Sequence, residues 1–298
     1  MDRITLLGLN RSVLDNNQRT LARLATYQEQ LSTGKKLNRI SDDVVAARQS
    51  LRYRADENAT GKYLDNIDKS LAYMGATDTA FSEITSLFDE VKSIAVQGAN
   101  ASQDAASRAA LAQAVDSHLA RMVDVANTVH DGRFIFGGTA TTSGKPFALA
   151  ADGLQVDYSG NLDSFQVEVG PNSRIQVNQD GNQLFKGEVD IFDTLIQLRD
   201  ALMANDATAT AKLIDTVDAS QRHANDLQGS MGGRIQRLER AQSQLEINRT
   251  YQKELISQAE DIDFTETVAN LQLAQVSLEA GLQAASRTLT PSLLDFLG

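Results

Sequence analysis

The sequence predicts a mainly α protein: a long antiparallel helical rod, or coiled coil, of N- and C-terminal arms with a small antiparallel β insertion at its tip. Three observations predict it. The only prolines are Pro146, Pro171 and Pro291, so residues 1–145 and 172–290 are free to form long helices. Strict alternation of apolar and polar residues is confined to the middle, between Gly132 and Gly187. Apolar seams at coiled-coil spacing stand at both chain ends, where pairing them side by side buries both.

The first arm opens with Leu14, Leu21, Leu24 and Leu31 on a seam whose remaining positions are the polar Asn17 and Gln28. Ser32-Thr33-Gly34 breaks it. A second helix is expected from about Ser41, which can cap it while Asp42 and Asp43 complement its positive end. Its stripe runs through Leu64, Ile67, Leu71 and Met74, then Phe81, Ile84, Leu87, Phe88 and Val91. Gly98–Ser107 is the expected break, after which Leu111, Val115, Leu119, Met122 and Ala126 resume the stripe.

In the middle, Leu154, Val156 and Tyr158, then Phe165, Val167 and Val169, then Ile175 and Val177 read as strands of one small meander. Ser159-Gly160-Asn161, Gly170-Pro171-Asn172 and Asp180-Gly181-Asn182 are its turns.

The returning arm begins with Phe192, Leu195, Leu198 and Leu202, ended by Asn205-Asp206. A longer helix carries Leu213, Val217, Leu227, Ile235, Leu238 and Leu245, with Met231-Gly232-Gly233 as its expected weak point. Glu260-Asp261-Ile262-Asp263 interrupts, and Asp263 with Glu266 makes a capping pair for the last helix. There Val268, Leu271, Gln275, Leu278, Leu282, Ala285 and Leu289 alternate steps of three and four, until Pro291 is expected to end the helix. The organisation is therefore 1–40 N-terminal assembly helix, 41–132 first helical arm, 133–190 β domain, 191–260 returning arm, and 261–298 C-terminal assembly helix and tail.

A helix with one narrow stripe still exposes surface after pairing with another, so other chains are expected to pack around both ends, in a homo-oligomer. An intramolecular bundle with no further assembly is the plainer alternative. The candidate assembly residues are Leu14, Leu21, Leu24, Leu31, Val268, Leu271, Leu278, Leu282 and Leu289.

Composition removes several functions. Without cysteine there is no disulfide, thiolate metal site or Cys nucleophile. A net charge of −11 opposes a nucleic-acid partner, although residues 1–60 hold ten Lys/Arg against seven Asp/Glu. No apolar run is long enough to span a membrane, and the N-terminus lacks the pattern of a cleaved secretory signal. His118, His130 and His223 have no partner at metal-ligand spacing, and no phosphate-binding loop is present. The acidic residues Glu260, Asp261, Asp263 and Glu266 lack the glycine-centred loop of a calcium site. No catalytic residue, metal or cofactor is expected.

Three stretches resemble the flagellin superfamily: Leu31–Ala47, read LSTGKKLNRISDDVVAA; Gly132–Thr139, read GRFIFGGT; and Glu260–Val268, read EDIDFTETV. The ending Ser292-Leu293-Leu294-Asp295-Phe296-Leu297 is similar to that of the members forming the junction between hook and filament; Gly298 lies one residue beyond it. The resemblance implies a structural subunit of the bacterial flagellum that assembles helically through its terminal helices. It also implies type III export without a cleaved signal, hook-associated protein and flagellin as neighbours, and an export chaperone, placed on Leu271, Leu278 and Leu282. A short flagellin of the filament itself is the alternative within the family, and an intracellular coiled-coil adaptor the alternative outside it.

Overall fold

The computed structural model describes the backbone of residues 6–142 and 144–297, and the side chains of residues 11–142 and 144–286. Long helices dominate it, with small antiparallel sheets between them. The chain divides into two compact units: Met1–Ala59 with Asn248–Gly298, and Thr60–Ile247.

In chain order the helices are α1 (Leu6–Thr33), α2 (Val44–Ala99), α3 (Ala105–Ala126), α4 (Gly181–Lys186), α5 (Ile191–Met203), α6 (Ala207–Glu260) and α7 (Phe264–Leu297). Their ends follow local chemistry. Gly34 stops α1 in the left-handed region at φ 72°, which glycine reaches without a Cβ clash. The cap of α2 is Asp43 and not Ser41: its carboxylate accepts from the amides of Val45 and Ala46, both at 2.9 Å. A carboxylate at a helix start adds charge to the hydrogen bond, which a hydroxyl cannot. Asp104, Asp190 and Asp263 cap α3, α5 and α7 in the same way.

Two expected interruptions are absent. α6 runs unbroken through Met231-Gly232-Gly233, because Met231 is fully buried in the core and Arg234 is held to Asn178 O at 3.0 Å and Gln179 Oε1 at 2.7 Å. Tertiary anchoring outweighs the roughly 1 kcal/mol that each helical glycine costs. α7 likewise continues past Pro291 to Leu297. A proline removes one donor from the ladder, and the bonds of the remaining residues carry the helix through it.

The Thr60–Ile247 unit has an extensive core. α2 supplies Ile67, Met74, Phe81, Ile84, Phe88 and Val91, and α3 supplies Val115, Leu119 and Met122, all but fully buried. α5 adds Leu195, Leu198 and Leu202, and α6 adds Val217 and Leu238. These are the helical stripes read from the sequence.

Between the helices lie three separate two-stranded hairpins instead of one meander: β1 (Val129–His130) with β2 (Arg133–Phe134), β3 (Phe147–Leu149) with β4 (Val156–Tyr158), and β5 (Gln166–Gly170) with β6 (Ser173–Gln176). Asp131 and Gly132 turn the first with φ of 54° and 72°, the paired positive values of a primed hairpin turn. The first two hairpins join the core through aromatic packing in place of a shared ladder. Phe185, on α4, meets Phe136 at 5.3 Å between ring centroids, Phe147 at 5.0 Å and Phe192 at 5.2 Å. α4 stands where the sequence predicts only the turn Asp180-Gly181-Asn182; Asp180 caps it, and Gly181 lies so near Phe136 O that a Cβ would stand 2.2 Å away.

Arg108 closes one end of this unit. Its guanidinium is buried with no carboxylate partner among the described residues, donating instead to Gly98 O at 2.8 Å, Asn100 O at 2.9 Å and the side chain of Asn205. The exposed carbonyl end of α2 thus supplies the negative pole for a buried cation. Arg108→Met is expected to lower stability by about 2–3 kcal/mol, since it strands these acceptors. An unchanged urea midpoint would show that water replaces the guanidinium at no cost.

Candidate assembly surface

α1 and α7 pack antiparallel within one unit. Lys35 bridges Asp261 at one end, and toward the other Gly281 sits so close to Asn17 that a Cβ would meet its Oδ1 at 2.1 Å. The inward face of α1 carries Val13, Asn17, Thr20, Leu24, Tyr27 and Leu31, all half-buried at alternating steps of four and three. On α7 the matching row is Thr267, Leu271, Ala274, Leu278, Gly281 and Ala285. Small residues at Ala274, Gly281 and Ala285 let the two backbones approach.

The proposed assembly residues fall on two faces. Leu24, Leu31, Leu271 and Leu278 lie on the inward rows, with Val268 half-buried at their edge. Leu14, Leu21 and Leu282 lie outward, 57%, 51% and 55% exposed. The side chain of Leu289 lies outside the described residues. Three further outward apolar residues of α7 were not singled out by the sequence: Phe264, Leu273 and Val276, each more than 60% exposed. The helix pair therefore has a second apolar face that its own unit does not cover. Among the described residues of this unit the only buried hydrophobic side chains are Ala47 and Ala274. Two helices without a buried aliphatic core are marginal on their own.

What the unit does bury is a carboxylate. Glu260, at the end of α6, takes both Arg54 Nε and Nη2 at 2.5 Å, with further hydrogen bonds from Lys35 and Ser50. Around it Lys36 N donates to Glu260 O at 2.7 Å, and Ile262 N to Gly34 O at 3.1 Å. The turn after α1 is thereby tied to the break before α7. The Arg54 fork, then Lys35 and Ser50, hold the Glu260 carboxyl far below the usual carboxylate range despite its burial. The sign follows: a carboxyl depressed on folding stabilises above its unfolded value of about 4.3 and loses that contribution as pH falls toward the folded value. Glu260→Gln is expected to cost about 2 kcal/mol at pH 7, the range for charge-assisted hydrogen bonds whose cations stay half exposed. The gap from wild type should narrow steadily between about pH 4 and pH 2. A gap constant with pH would assign the loss to shape instead of charge.

The three histidines are placed singly: His118 beside Glu90 at 3.5 Å, His130 edge-on to Tyr73, and His223 on Gln183 O at 2.8 Å. Among the described residues no cluster of metal-ligating side chains forms, and no helix is long and apolar enough to cross a membrane.

The sequence pattern of the bacterial flagellin N-terminal helical region matches residues 5–141, and that of the bacterial flagellin C-terminal helical region matches residues 214–297. The chain belongs to the bacterial flagellin family. It is 23% identical to flagellar hook-associated protein 3 of Escherichia coli (strain K12) over 283 residues, covering 87% of this chain and 88% of that one. It is 21% identical to flagellin FlaB1 of Treponema pallidum over 274 residues, covering 90% of each. The fold is similar to that of the flagellar junction protein FlgL from Legionella pneumophila, at a TM-score of 0.61 and 14% identity over 72% of this chain and all of that one.

In this flagellin-family chain the motif segments 31–47 and 260–268 meet. Gly34, Lys35 and Lys36 of the first lie against Glu260, Asp261 and Ile262 of the second. The third segment, 132–139, turns β1 into β2 and sends Ile135 and Phe136 into the core. Sequence reasoning missed Arg54 and Ser50, the partners of Glu260 on α2. Only their step of four, which puts both on one helical face, hinted at a shared target.

Proposed function

We propose that this chain is a structural subunit of the bacterial flagellum that forms the junction between hook and filament, and that it assembles there through α1 and α7. The observation that carries the reading is the near end-to-end match with flagellar hook-associated protein 3, spanning 88% of that protein. The exposed second face of the α1–α7 pair supplies the means, since Leu14, Leu21, Leu273, Val276 and Leu282 need a neighbour to leave water. Such contacts repeat by a screw operation, so each new subunit presents the same open face to the next. The family is structural, and no catalytic role is assigned.

The neighbours in this reading are hook-associated protein on one side and flagellin on the other. The chain travels there by type III export without a cleaved signal. Before assembly a chaperone holds Leu271, Leu278 and Leu282. Leu271 and Leu278 are half-buried on the inward face of α7, so a chaperone gripping them takes the place of α1. Chaperone release and α1–α7 pairing are then one event.

Immunogold electron microscopy of isolated flagella, with antibody against residues 140–190, tests the reading. Gold confined to a narrow band where hook meets filament is the expected result. Label along the whole filament would instead make the chain a short flagellin, the second reading, which the 90% coverage of Treponema pallidum flagellin FlaB1 favours. Intact flagella without label would overturn both.

A further inference from the structure

A cleft of about 460 Å³ opens in the Thr60–Ile247 unit between α2 and two of the hairpins. Its size falls within the roughly 300–1,000 Å³ of small-molecule sites. One wall is a single face of α2, with Asn66, Lys69, Ser70 and Tyr73 at helical spacing. The other walls are the β1–β2 hairpin, through His130, Asp131 and Arg133, and the start of strand β5, through Val167 and Phe165 just before it.

The walls are fixed by bonds that leave the cleft-facing groups free. Asn66 Nδ2 donates to Glu168 O at 3.1 Å, keeping its own Oδ1 as an acceptor. Tyr73 donates to Ile135 O at 2.8 Å, with the His130 ring edge-on at 6.2 Å. The carboxylate nearest in sequence on β5, Glu168, is occupied by Arg174 at 2.5 Å. Among the described residues, neither Lys69 nor Arg133 forms an ion pair, and neither does Asp131. Lys69 and Arg133 thus bring two cations, neither in an ion pair, to the lining of one cleft in a chain of net charge −11.

The geometry points to a binding site for a sugar acid, a hydroxylated ring bearing one carboxylate. Lys69 and Arg133 supply the donors for the carboxylate. Asp131 offsets one of the two positive charges, which fits a single anionic group and disfavours a doubly charged ligand such as phosphate or a run of acidic residues. Asp131 and Asn66 Oδ1 offer acceptors for ring hydroxyls. Phe165, 47% exposed and fixed at a strand start, presents an apolar surface to the C–H face of the ring. The inference does not depend on where in the flagellum the chain sits.

Isothermal titration calorimetry on the full chain with D-glucuronate, D-glucose and acetate tests it. Glucuronate is expected to bind at least tenfold more tightly than either glucose, which lacks the carboxylate, or acetate, which lacks the ring. Lys69→Gln and Arg133→Gln should each weaken glucuronate at least fivefold, and Phe165→Ser should do so without improving acetate. Asp131→Asn should raise acetate affinity. All four side chains are exposed, so unchanged melting temperatures are expected and separate lost binding from lost fold. Acetate binding as tightly as glucuronate would reduce the cleft to a general anion site and overturn the assignment. So would an absence of heat with glucuronate, or variants that bind it as the parent does.

Discussion

Leu21→Asp is expected to leave the α1–α7 pair formed within the chain and to abolish addition of subunits at the hook–filament junction. Leu21 is on the outward face of α1, 51% exposed, so an aspartate there stays hydrated in the free chain. In the assembly it would be enclosed against apolar neighbours. Burying an unpaired charge in such a contact costs about 3–5 kcal/mol, or roughly two to three and a half decades in affinity at each subunit contact. Leu278→Asp, on the inward row, should also stop assembly, by a different route: it parts α7 from α1 while the Thr60–Ile247 unit stays folded. A disulfide between cysteines placed at Asn17 and Gly281, which the structure brings into contact, reports the difference. It should form in Leu21→Asp and fail in Leu278→Asp. Normal flagella carrying Leu21→Asp would remove the outward face from the subunit contact, and normal flagella carrying Leu278→Asp would remove the inward seam from assembly altogether.

Phe185→Ala should be the most destabilising single substitution in the Thr60–Ile247 unit. The ring is fully buried and meets three others, stacked on Phe192 with an interplanar angle of 14° and edge-on to Phe136 and Phe147. These rings come from α4, α5, the segment after β2, and β3, so the cavity would open where the hairpins join the helices. The expected loss is about 3–5 kcal/mol, a large fraction of the roughly 5–15 kcal/mol that holds a domain folded. Urea denaturation reads it directly, and Phe185→Leu should recover about half, since leucine refills much of the volume. A midpoint within error of wild type would mean that the hairpins are held by their short ladders and not by the aromatic cluster.

Much of this architecture was legible in the sequence because it rests on neighbouring residues. The stripes from Leu64 to Val91 and from Val115 to Met122 repeat at the helical period and point to the core wherever they are read. Gly34, the Gly98–Ser107 stretch and Glu260–Asp263 end helices where backbone freedom or capping is written in neighbouring residues. The hairpin at Gly170-Pro171-Asn172 follows from the turn chemistry of those three residues.

What the tertiary structure decided involves a choice between faces or a meeting of distant segments. The apolar residues of α1 and α7 divide between an inward and an outward face. Periodicity could not say that Leu24 and Leu278 turn inward while Leu21 and Leu282 turn outward, because that depends on which side a partner helix approaches. The same holds for Gly232-Gly233, read as a weakness until Met231 and Arg234 proved to be anchored. Glu260 looked like one acid among several; its partners Arg54 and Lys35 stand 206 and 225 residues away. Local sequence fixes helices and their ends through interactions within a few residues. Burial of one face and pairing of a charge arise only when remote segments are brought together.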